Sequence, residues 1–263
     1  MFNKILKNYI SSNLHVTLAL WAFCRTIALQ QGISIAYSLQ LAIVGFGWAA
    51  YQYIQIFIPF FIKKITPKPL SFLRFFAAIF LGVFGLMSQP FSVWVVFAFL
   101  TFITVLYALP FKSKKGLRFI PALKIFAVAL CWTTLATVSL VGLQNELFLL
   151  IGLKALLWMV VLILPFEIRD MHKDASSLKT IPQLLGKQQT KLFGFLLVTV
   201  LAVLATKTVM YTPLLWAELV TLVILALALF GMYSKRNIYY TSLWIEAIPV
   251  LWLVLSITAV ILF

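Results

Sequence analysis

The chain has 263 residues, of which 63% are hydrophobic and 10% charged, and its mean hydropathy is +1.07; that leaves too little polar surface to cover a water-soluble domain and points to a polytopic membrane protein. Its formal charge of +15 comes from 21 basic and 6 acidic side chains; in so apolar a chain this reads as basic loops facing anionic headgroups, and not as a nucleic-acid surface. Cys24 and Cys131 sit inside apolar runs with neither disulfide nor metal-site spacing, so they read as packing residues.

In chain order, residues 1–8 bring Lys4 and Lys7 ahead of an apolar run that is interrupted by Arg25 and ends at Gln30-Gln31-Gly32. No small-residue cleavage site follows, so this run is expected to be a retained first span and not a signal peptide. A helical crossing needs roughly 20 mostly apolar residues. Nine segments qualify: 11–30, 35–62, 70–88, 91–110, 120–142, 146–166, 191–207, 213–233 and 241–262. The second is long for one crossing, and is expected to tilt or to leave the bilayer near Tyr51 to Gln55.

The basic residues fix an expected orientation. With the N-terminus cytoplasmic, the inner side takes Lys4 and Lys7, then Lys63 to Arg74, Lys112 to Lys124, Arg169 to Lys191, and Lys235 with Arg236. This leaves only Arg25, Lys154 and Lys207 of the 21 bases elsewhere. The turns assigned outside, around Gln31, Ser88-Gln89-Pro90 and Gln144-Asn145, are almost uncharged. This is the positive-inside pattern for nine spans, and it leaves the C-terminus outside. One domain over 1–263 is expected. Arg25, Lys154 and Glu218 fall in the outer portions of their spans, where buried charges need partners; a partial ion-pair cluster is expected there. Glu246 falls near the inner end of span nine, facing a cavity or paired with a loop base. His15 and His172 are isolated and receive no role.

The acids are unevenly placed. None precedes Glu146, and Glu167, Asp170 and Asp174 fall within eight positions where span six leaves the membrane, just after Pro165. On a helix these positions share one face. Three carboxylates on one stripe repel unless a cation sits among them, and Mg²⁺ takes one or two carboxylates together with substrate phosphate oxygens. The alternative is a solvated membrane-edge helix in which Arg169 and Lys173 offset the acids.

The run Glu167-Ile-Arg-Asp170-Met-His-Lys-Asp174, followed by Leu178-Lys179-Thr180-Ile-Pro182-Gln-Leu-Leu-Gly186, resembles the second aspartate-rich motif of the UbiA superfamily of intramembrane prenyltransferases. Asp170 and Asp174 match the Asp-x-x-x-Asp core. The family's Gly before Lys-Thr is absent, and the spacing is about one residue short. The resemblance implies an all-α bundle of nine transmembrane helices around a central cavity, in a bacterial cytoplasmic membrane. It implies Mg²⁺ on Asp170, Asp174 and Glu167, one ion foremost, and a prenyl diphosphate whose oxygens are gripped by Lys112, Arg118, Arg169 and Lys179. The second partner would be a lipophilic or aromatic acceptor, and no protein partner is implied. Tyr107 and Lys112 further resemble the family's Tyr and Lys at the inner end of span four, with one extra residue between them.

The family's first Asp-rich motif, expected at the end of span two, is replaced by Tyr51, Gln52 and Gln55. None of these brings negative charge. The resemblance therefore leaves two readings open: a prenyltransferase, or a catalytically impaired relative that binds isoprenoid or lipid without turnover. A small transporter fits less well, because the charges gather at one membrane face and not at midplane.

Overall fold

Ten α-helices carry the computed structural model, which describes residues 2–63, 66, 68–109, 120, 123–142, 144–233 and 236–263. They are α1 (Phe2–Ser11), α2 (Leu14–Gln30), α3 (Tyr37–Lys63), α4 (Pro69–Leu86), α5 (Phe91–Ala108), α6 (Leu123–Thr137), α7 (Phe148–Asp170), α8 (Ile181–Thr208), α9 (Thr212–Phe230) and α10 (Ile248–Leu262). No strand occurs among the described residues. Seven helices, counting α10 with the π-helical turn Tyr240–Ile245 before it, are long and apolar enough to cross a membrane. Two shorter apolar helices, α2 and α6, lie in the first and fifth expected segments. The chain is an integral membrane protein.

Several boundaries differ from the sequence expectation: α6 is shorter, at Leu123–Thr137, α7 runs on to Asp170, and two further changes bear on the site. A short helix, α1, precedes the first span; its sequence puts Leu6, Tyr9 and Ile10 near one face, the pattern of a helix lying along a membrane surface. And α8 starts at Ile181, ten residues ahead of the expected segment, breaking at Gly186 with φ 78° and ψ 167°. Glycine adopts that backbone without a Cβ penalty. The motif's closing Gly therefore separates a short motif turn from the long span behind it.

The α3–α4 hairpin is held by backbone contact. A Cβ on Gly45 would overlap the Gly82 backbone nitrogen, and one on Gly85 would overlap the Ala42 nitrogen. Without a hydrophobic drive between helices in lipid, close backbone approach through small residues is what packs them. Gly45→Val is expected to cost about 1–3 kcal/mol by overpacking, read as a lowered melting temperature in detergent.

Where α2, α6, α7 and α10 meet, aromatic side chains fill the interior. Trp158 stacks on Trp252 at 4.9 Å and 11°. Phe23 touches Trp132, Trp158 and Trp252 at 5.8, 5.6 and 6.1 Å. The expected ion-pair cluster exists, with a different membership. Lys154 Nζ donates to Glu218 Oε2 at 3.0 Å and to Gln30 Oε1 at 2.9 Å, while Gln30 Nε2 donates to the same Glu218 oxygen at 2.9 Å. All three side chains are buried, tying α7, α9 and α2. Arg25 takes no part in it.

Candidate functional site

The acidic stripe is divided between two cations. Helix α7 ends at Asp170, so Glu167 and Asp170 are helical, while Asp174 lies in the following turn, its N–H donating to the Asp170 carbonyl at 2.9 Å. Lys124, in the first turn of α6, reaches between Glu167 and Asp174. Its Nζ lies 2.9 Å from Glu167 Oε1 and 2.8 Å from Asp174 Oδ2. Glu167 is buried at 1% exposure, and Lys124 and Asp174 are 18% and 17% exposed. Asp170 is held from its own neighbour: Arg169 Nε and Nη2 donate to its two oxygens at 2.9 and 2.6 Å.

Arg169 is engaged further. Its Nη1 donates to Thr241 Oγ1 and to Ser242 Oγ, and its guanidinium lies 5.3 Å over the Phe166 ring. Thr241 and Ser242 belong to the π-helical turn that leads into α10, a type of distortion found often at functional sites. His15 holds the same turn from α2: its Nε2 bonds the Leu243 carbonyl at 2.9 Å, and its Nδ1 pairs with the Tyr9 hydroxyl at 2.9 Å. Burial and the nearby Glu246 push the Tyr9 phenol above its ordinary value. Glu246 makes no salt bridge among the described residues, and lies within electrostatic reach of Arg169 and Tyr51.

Behind Asp174, the turn is stapled by Gln183. A capping box starts α8, with the Thr180 N–H donating to Gln183 Oε1 at 3.0 Å. Gln183 Nε2 then faces the carbonyls of Met171, Asp174 and Ala175 at 3.2, 3.1 and 3.4 Å. Capping satisfies donors that a helix start leaves unpaired; here it also fixes the path of the acidic turn. Lys179 adopts a left-handed backbone at φ 45° and is exposed beside that turn. Lys112 and Arg118 lie outside the described residues.

The residues standing where a first acidic motif was expected have other work. Gln52 Nε2 and Trp48 Nε1 donate to the Ser12 carbonyl at 2.7 and 2.8 Å. Gln55 Nε2 donates to the Ser11 carbonyl at 3.2 Å, and its Oε1 accepts from Asn13 Nδ2 at 2.8 Å. They close the break between α1 and α2, where Asn13 turns left-handed at φ 59°, so the carbonyls at the end of α1 are satisfied from α3. Tyr51 accepts from Trp132 Nε1 at 3.0 Å.

Beside this charged end lies an apolar cavity of about 390 Å³. Ala127 and Val128 line it one helical turn after Lys124, and Tyr51, Phe46, Phe97 and Trp132 complete much of its wall. Tyr107 borders it too. Its volume falls in the range of small-ligand sites, roughly 300–1,000 Å³. Lys124 is the residue that sequence reasoning missed, since it counted only as one more inner-side base. Its sole sequence signal was its place at the start of a short span.

A polytopic helical membrane protein with a charge-paired motif next to an aromatic-walled cavity is the class these features define. Solved structures of UbiA homologues share its fold. The structure from Archaeoglobus fulgidus bound to GPP and Mg²⁺ is 13% identical, with 94% of this chain and 98% of that one covered at a TM-score of 0.64. The A. fulgidus structure bound to DMAPP and Mg²⁺ is 13% identical, with coverages of 96% and 100% and a TM-score of 0.62. The apo structure from Aeropyrum pernix K1 is 14% identical, with coverages of 95% and 98% and a TM-score of 0.68. No protein-family model matches the sequence, and no curated protein matches it. The chain has the UbiA fold over nearly its whole length.

The side chains as arranged do not fit the expected Mg²⁺. The ion demands near-octahedral oxygen ligands at about 2.0–2.1 Å. Here an ammonium stands between Glu167 and Asp174, and Asp170 is taken by Arg169. Both Glu167 oxygens are buried without a hydrogen-bond partner, but Oε1 is ion-paired with Lys124 at 2.9 Å, and a single carboxylate falls short of a divalent site. Among the described residues, no group of three His, Cys, Asp or Glu side chains is placed to hold a metal ion. The three acids are balanced in charge by Lys124, Arg169 and Lys173, the last 3.7 Å from Asp170.

Proposed function

We propose that the chain is a UbiA-like prenyltransferase of a bacterial cytoplasmic membrane. It takes the isoprenoid tail of a prenyl diphosphate into the cavity along α6 and the diphosphate at the charged end, on the cytoplasmic side. The observation that carries this reading is the shared helix: Lys124 opens α6, and the cavity wall begins one turn later at Ala127 and Val128. A tail and a head group that are covalently joined need adjoining apolar and cationic sites. The UbiA homologues bound to GPP and DMAPP support the same choice of ligand.

In the reaction, the allylic C–O bond breaks and its electron pair leaves with the diphosphate. A lipophilic acceptor attacks the allylic carbon and gives up a proton. Positive charge aimed at the leaving oxygens lowers that barrier; Lys124 supplies it here, and Lys112, Arg118 and Lys179 are assigned to the same task. The aromatic faces of Tyr51, Phe46, Phe97 and Trp132 would shield the cation-like carbon. Arg169 acts on the site by holding Asp170 and the π-helical turn.

The test is release of diphosphate and transfer of a labelled prenyl group into a lipid extract, tried with geranyl, farnesyl and geranylgeranyl diphosphate. Turnover is expected with at least one chain length. Asp174→Ala, which unties Lys124 from the motif turn, is expected to lower it by about tenfold or more. No transfer with any chain length contradicts the reading. A second reading, binding without turnover, is favoured by the ion pairing of all three carboxylates. It predicts an isoprenoid that copurifies and is never consumed.

A further inference from the structure

Lys124 is set apart among the described bases by where it stands. It lies between two carboxylates of the motif, at 2.9 and 2.8 Å. An ammonium has three donors. One is spent on Asp174 Oδ2, the contact with Glu167 Oε1 is an ion pair, and no further hydrogen bond of the ammonium occurs among the described residues. On α3, the helix that would carry it, the chain has no second acidic arm. No acid precedes Glu146, and the polar residues near the end of α3 are committed to the α1–α2 break. A divalent ion would have to displace two short ion pairs.

Resting on the transferase reading, we infer that Lys124 is the resident cation of this site, and that the chain binds a prenyl diphosphate without a divalent metal. The two carboxylates hold the ammonium in place as they would hold an ion. Its remaining N–H is offered to a diphosphate oxygen. Tethering the charge to α6 keeps it next to the tail cavity and removes the need for the negative charge that a bound Mg²⁺ requires from its protein ligands. The residues of the missing first motif are thereby free for their structural role.

The experiment has two arms on the purified full-length protein. In the first, affinity for geranylgeranyl diphosphate is measured in EDTA and in millimolar Mg²⁺. The two values are expected to agree within about threefold, with Lys124→Met weakening binding in EDTA by about tenfold or more. In the second arm, no prenyl ligand is present, and Mn²⁺ alone is titrated while the melting temperature is followed. Wild type is expected to stay unchanged, whereas Lys124→Met gains several degrees, because removing the ammonium leaves Glu167 and Asp174 as a pair of metal ligands. Lys124→Gln serves where the methionine variant does not fold. A wild-type protein that needs Mg²⁺ for binding overturns the inference, as does one that is stabilised by Mn²⁺ as much as the variant. So does a variant that gains no Mn²⁺ response. Failure of every prenyl diphosphate to bind in any buffer counts against the transferase reading, and leaves the Mn²⁺ arm to judge Lys124.

Discussion

Lys154→Met is expected to destabilise the bundle by about 3–5 kcal/mol, a larger loss than that of Gly45→Val. Lys154 is buried in α7, and its ammonium is the only cation paired with the buried Glu218 among the described residues. Removing it leaves a carboxylate in the low-dielectric interior with only Gln30 to donate to it, and a second carboxylate oxygen that already lacks a partner. Replacing both members by apolar residues, Lys154→Met with Glu218→Leu, is expected to recover most of that loss, because burying the pair costs desolvation that its attraction only partly repays. The measurement is denaturation in detergent of the two single variants and the double. If the singles lose nothing, the triad across α2, α7 and α9 is not a structural tie.

Val128→Trp is expected to weaken binding of a prenyl diphosphate by about a hundredfold, while binding of inorganic diphosphate is unchanged. Val128 lines the cavity one turn beyond Lys124. An indole there would occupy the space of three or four methylenes of the tail, each worth about 0.8 kcal/mol when buried. That sums to about 3 kcal/mol, or two decades of affinity. The charged end is untouched by the change, so the two ligands separate tail binding from head-group binding. Equal loss for both would mean the substitution disturbs α6 as a whole.

The helical segments were legible because each is a long apolar run bounded by prolines, glycines or basic loops. The membrane leaves such runs no alternative to forming helices. Pro69, Pro182, Pro213 and Pro249 each fall in the first turn of a helix, where a missing N–H costs nothing. The acidic motif was legible as composition, three of six acids in one place. Its pairing was not. Local spacing placed the three carboxylates on one stripe, but it could not show that Lys124, 43 positions before Glu167 in the sequence, meets two of them from another helix. The same limit applies to Gln52 and Gln55, whose partners, Ser12 and Ser11, lie at the start of the chain. Gln30 was likewise unforeseen in the buried triad, where Arg25 looked the better candidate on charge. Long-range polar partners depend on how helices pack, and periodicity within one segment carries no record of that.

The most direct measurement is an experimental structure of the chain with a non-cleavable prenyl thiodiphosphate, prepared in EDTA. Density for the tail is expected along α6 from Val128 toward Leu135, with a phosphate oxygen within hydrogen-bond distance of Lys124 Nζ. A ligand seated away from that cavity, or a head group that leaves Lys124 buried between Glu167 and Asp174 without contact, would contradict the role given to this lysine.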